Sequence, residues 1–80
     1  MKVIENAVKA SLRHMEKSGL SFKEAVGYAQ TDLDNFLKNP TGLTSVHGAQ
    51  AAGIPLEDYV KQKEAYLRLL LEEVKKRAEL

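Results

Sequence analysis

Residues 55 to 80 read PLEDYVKQKEAYLRLLLEEVKKRAEL, and the fold class follows from this stretch. After its first residue it contains neither Gly nor Pro. Its apolar positions Leu56, Tyr59, Val60, Leu67, Leu70, Leu71, Val74 and Ala78 mostly recur three or four residues apart, which is the spacing of one face of an α-helix. Pro55 suits a first helical position, where its missing N–H is no loss. Glu57 and Asp58 put negative charge in the first turn, and Lys75, Lys76 and Arg77 put positive charge near the last. Both arrangements favour the helix dipole. A helix over 55–79 is roughly 35 Å long at about 1.5 Å per residue. Such a rod outruns what a small domain covers, so part of it is expected to face a partner. Tyr66, Leu69, Leu70 and Val74 are the candidate oligomer-interface residues, and a homodimer is the expected assembly.

Working back from this stretch, the remaining chain divides into short capped segments. A first helix is expected over about 3–18, with Ile4, Ala7, Val8, Ser11, Leu12 and Met15 along one stripe. Gly19 is placed to take the left-handed conformation that ends it. Ser21 and Glu24 form a capping box for a second helix over about 22–29, with Leu20 and Ala25 as a hydrophobic staple. Gly27 costs that helix about 1 kcal/mol of propensity, a cost consistent with close approach by a neighbour. Thr31, with Asp34 three positions on, reads as the cap of a third helix over about 32–38 burying Leu33, Phe36 and Leu37. Asn39-Pro40 stops it, because the residue before proline is pushed out of helical geometry. Thr44 or Ser45 is expected to cap a fourth helix over about 45–52, and Gly53 to end it. No segment alternates with period two for long enough to make a strand. The expectation is a single all-α domain over 1–80: a compact five-helix fold with four short helices on a long C-terminal one.

Composition sets further bounds. Eighty residues are close to the lower limit at which one core suffices. There is no Cys, which excludes disulfides and thiolate metal sites. Met1–Val8 carries charge and lacks the apolar core of a secretory leader, and the longest purely apolar run is Leu69-Leu70-Leu71. A soluble cytoplasmic protein with no membrane span is therefore expected. Net charge is +1, from 12 basic and 11 acidic side chains. That is little attraction for nucleic acid, whose affinity rests on neutralising several phosphates.

The stretch from Gly19 to Pro40, GLSFKEAVGYAQTDLDNFLKNP, resembles the phage-repressor (Cro-like) helix-turn-helix family. A Gly-Leu-Ser opening stands before the first helix of that family's motif, and a Ser or Thr cap opens the recognition helix. The patch from Ala49 to Tyr59, AQAAGIPLEDY, is similar to the family's link between its fourth and fifth helices. The resemblance implies a dimeric DNA-binding transcription regulator of phage or plasmid type. It places Thr31 to Lys38 in the major groove, with Asn35 and Lys38 as groove and phosphate contacts. It also implies that Ser21 and Lys23 hold backbone phosphate at a helix N-terminus, a natural anion site. In this chain Gln30 stands where the family has a small turn residue, and Asp32 and Asp34 present carboxylates where readout ordinarily uses Arg, Lys, Asn or Gln. A second frame places Ala49, Gly53 and Tyr59 at helix-turn-helix spacing, with the helix from Pro55 onward entering DNA.

Other chemistry finds no support in the sequence. His14 and His47 lie on different expected helices with no His-x-x-x-His pairing, so no metal site is expected. Asp32-x-Asp34-Asn35 lacks the Gly and closing Glu of a calcium loop. No phosphate-binding Gly loop or nucleophile-base arrangement is present, so neither a cofactor nor an enzyme is expected. The reading set against DNA binding is a helical protein-interaction module, an inhibitor or adaptor of the kind mobile elements encode. It rests on near-neutral charge, the acidic exposed face of 32–38, and the surplus apolar positions Tyr66 and Leu69.

Overall fold

The computed structural model describes residues 2–79, and among them every regular element is a helix. α1 spans Lys2–Ser18, α2 Phe22–Lys38, α3 Leu43–Ala52 and α4 Leu56–Ala78. The molecule measures 38 × 26 × 20 Å. At about 1.5 Å per residue, 23-residue α4 runs nearly end to end through it. Each of the other three helices touches α4, and α2 lies along it most extensively.

The all-α class and the long last helix are as expected, but the helices among the described residues number four, not five. The segments expected at 22–29 and 32–38 are one continuous helix of 17 residues. Thr31 caps nothing: it sits exposed in mid-helix. The reason is packing. Ala25, Ala29 and Leu33 recur every fourth residue, all buried, and form an unbroken stripe against α4. A turn at Gln30 would break that stripe and leave backbone groups unpaired, whereas a mid-helix Thr costs only about 0.7 kcal/mol. The Gln30 side-chain amide donates to Asp34 at 2.9 Å across the place where the turn was expected. Gly27 approaches no neighbour either, since a Cβ there would meet nothing within 4 Å.

The ends of the helices follow local chemistry more closely. Gly19 takes φ +80° after α1, and Gly53 takes φ +70° after α3. Ile54 N–H then donates to Ala49 O at 3.1 Å, satisfying a carbonyl at the helix end. Ser21 caps α2: its Oγ accepts from the Glu24 N–H at 3.2 Å and donates to the Glu24 carboxylate at 3.1 Å. The capping box is thus closed through the hydroxyl. The N-cap of α3 is Gly42, two residues before Thr44 and three before Ser45, so both of the expected caps lie inside the first turn. Starting at Leu43 puts Ser45 and Ala49, four apart, on the buried side. Pro55 is the N-cap of α4, not its first helical residue.

The core has two adjoining parts. Val8 and Leu12 of α1 meet Ala25 of α2 and Leu70 and Val74 of α4, with Leu20 and Phe22 packed at the edge. Ala29 and Leu33 of α2 meet Leu67 and Leu71 of α4, bordered by Phe36. Val26 and Tyr66 touch both parts. Arg77 ties the open end, pairing with Glu16 at 3.2 Å and lying 5.7 Å from the Phe22 ring centre.

Two substitutions test this packing by thermal or denaturant unfolding. Gly27→Ala is expected to stabilise the domain by about 1 kcal/mol, since it adds helix propensity into open space. Leu70→Asp is expected to cost well over 2 kcal/mol by burying a carboxylate without a partner; an unchanged melting temperature would mean that this face of α4 is not the core.

Candidate functional site

The last turns of α2, the first turn of α3 and the first half of α4 enclose an open cleft of about 500 Å³. Phe36, Leu43 and Leu67 give it apolar surface, and Asp32, Asn35, Thr44, Ser45, Tyr59 and Lys63 give it polar groups. Leu43 lies 71% exposed at the start of α3. The turn at residues 39–42 sets where α3 starts. Asn39 ends α2 with its N–H donating to Phe36 O at 3.2 Å, and Gly42 N–H returns to Asn39 O at 3.1 Å. A Cβ on Gly42 would overlap the Asn39 side-chain amide, so a side chain there would require that amide to move.

Tyr59 owes its place to Gly48. A side chain at Gly48 would collide with the Tyr59 ring and hydroxyl, so the glycine holds open the space the ring occupies. Lys63 lies one turn further along α4, its ammonium 6.0 Å from the Tyr66 ring centre. Among the described residues no carboxylate pairs with it.

The residues expected to touch DNA are distributed differently. Ser21 is engaged as a helix cap. Lys23, Thr31 and Lys38 are exposed and, at about 100° per residue, project from the side of α2 away from its Ala25-Ala29-Leu33 stripe. Asn35 lines the cleft instead. The turn that would set a recognition helix at an angle to a supporting one does not exist, because α2 continues through it. Of the candidate oligomer residues, Leu70 and Val74 are buried within the chain itself. Leu69 is half-buried beside them, and the Tyr66 hydroxyl shares a hydrogen bond with Ser11 of α1.

Sequence reasoning missed the cleft. By their residue type Thr44 and Ser45 are candidate caps, and nothing in the local pattern singles out Lys63. The available signal was Gly42, a residue that serves at an N-cap without a capping side chain. Among the described residues no group of three His, Cys, Asp or Glu is placed to hold a metal ion, and no helix is long and apolar enough to cross a membrane. Comparison with protein-family models, curated proteins and solved structures finds no match for the chain.

Gly48→Ala is expected to displace the Tyr59 ring while changing stability by under about 1 kcal/mol, because the gain in helix propensity offsets the repacking. Proton NMR of the tyrosine rings checks this. Unchanged Tyr59 resonances would place the ring elsewhere.

Proposed function

We propose that the protein is a non-enzymatic helical interaction module that takes up a segment of a protein partner in the cleft between α2, α3 and α4. The observation that carries this reading is the cleft itself, whose apolar and hydrogen-bonding groups lie side by side around an exposed Leu43. Mixed lining of this kind suits a polypeptide, which offers apolar side chains and backbone polar groups together. The near-neutral net charge of +1 agrees with this reading.

The second reading, a helix-turn-helix DNA-binding regulator, draws its support from the α3–α4 connection. Ala49 is buried there, Gly53 is left-handed, and three residues join the helices. Against it, α4 opens with Glu57 and Asp58, and Lys61 pairs with Glu57 at 3.4 Å. That first turn offers carboxylates to a polyanion.

Affinity capture from nuclease-treated lysate of the cells that encode the chain separates the two. Wild type and Lys23→Glu are expected to retain one protein partner, and Leu43→Asp to lose at least 90% of it. Duplex DNA followed by fluorescence anisotropy is expected to show no binding at micromolar protein. Salt-sensitive DNA binding, or full capture by Leu43→Asp, would overturn the proposal.

A further inference from the structure

The first turn of α3 forms the polar end of the cleft. Gly42 at its N-cap has no side chain to offer, and no described residue accepts from the Leu43, Thr44 or Ser45 N–H. No acidic residue stands in that turn. No side chain of that turn therefore compensates its partial positive charge. α2 differs, since Ser21 and Glu24 serve its N-terminus.

Ser45 supplies an independent observation. It is only 6% exposed, yet its hydroxyl has no hydrogen-bond partner among the described residues. No side-chain polar atom wholly cut off from solvent lacks a partner there. The Ser45 hydroxyl thus opens into the space that the residue lines, which is the cleft. A hydroxyl open toward a recess is free to bond a polar atom of a ligand that enters it. Lys63, free of any carboxylate, lines the same cleft.

From these features we infer that the cleft binds a carboxylate side chain of an acidic peptide segment, held by the α3 N–H groups, the Ser45 hydroxyl and the Lys63 ammonium. This rests on the interaction-module reading and names the chemistry of the partner segment. Phe36, Leu43 and Leu67 receive an apolar side chain beside the carboxylate. Asp32 is the one carboxylate in the lining, and it selects for a single negative charge. A phosphate dianion meets about twice the repulsion that a carboxylate meets at equal distance.

The test is a ¹⁵N–¹H NMR titration with three probes: acetyl-Leu-Glu-Leu-amide, acetyl-Leu-Gln-Leu-amide and inorganic phosphate. The glutamate peptide is expected to shift the Leu43, Thr44 and Ser45 amides saturably, and to bind about tenfold more tightly than the glutamine peptide, as befits a charge-assisted contact. Lys63→Gln and Ser45→Ala should each weaken it about fivefold. Asp32→Asn should tighten it about threefold, a change of sign that loss of folding cannot produce. Equal binding of the two peptides, no saturable shift, or tighter binding of phosphate at the same amides would overturn the inference. Capture of the protein partner by Lys63→Gln separates the two claims. Undiminished capture alongside failed peptide titrations removes the carboxylate site and leaves the interaction reading standing. Normal titrations without any partner capture do the reverse.

Discussion

Leu67, Leu70, Leu71 and Val74 lie within little more than two turns of α4, and each is buried by a neighbouring helix. Full burial of such a side chain stabilises by about 1.5–3 kcal/mol. In a domain of this size the folded state has little stability to spare, so this short stripe bears a large part of the total. It also dictates the arrangement. Leu70 and Val74 need α1 beside them, while Leu67 and Leu71 need the middle of α2. The toward-N-terminal half of α4 is left for α3, and Tyr59 against Gly48 is the contact that seats it.

The cleft is a consequence of the same constraint. Because the stripe on α2 must stay in register with α4, α2 cannot bend at Gln30 and runs on to Lys38. Its last turns then stand beside α3, whose entry is fixed by the tight fold at 39–42. A broken α2 would release Asp32, Asn35 and Phe36 from that wall. The binding surface therefore depends on helix continuity, not on any motif in the chain.

Surface charge contributes little to this order. The pairs Lys61–Glu57, Arg68–Glu64 and Lys76–Glu72 are exposed and four residues apart, a class worth about 0.3–0.5 kcal/mol each. They neutralise α4 along its outer side and leave Lys63 as a cation in the cleft without such a partner. Arg77 has a structural part as well, since its contacts with Glu16 and the Phe22 ring join α1 to the start of α2.

The residues alone determined the helical class, the extent of α4 and its buried face, and the punctuation by Gly19, Ser21, Pro40 and Gly53. Each of these is set by interactions within a few positions of the chain: periodicity, caps, and left-handed glycines. The fate of Thr31 and Thr44 was decided only by tertiary structure. A Ser or Thr has the same local capping chemistry at a helix start and in mid-helix, and what chose between them was whether Ala29 and Leu33, or Ser45 and Ala49, could be buried. The cleft was out of reach of the sequence for the same reason. Asp32, Ser45 and Lys63 come from three helices, and nothing in their local pattern records that burial of α4 would bring them together.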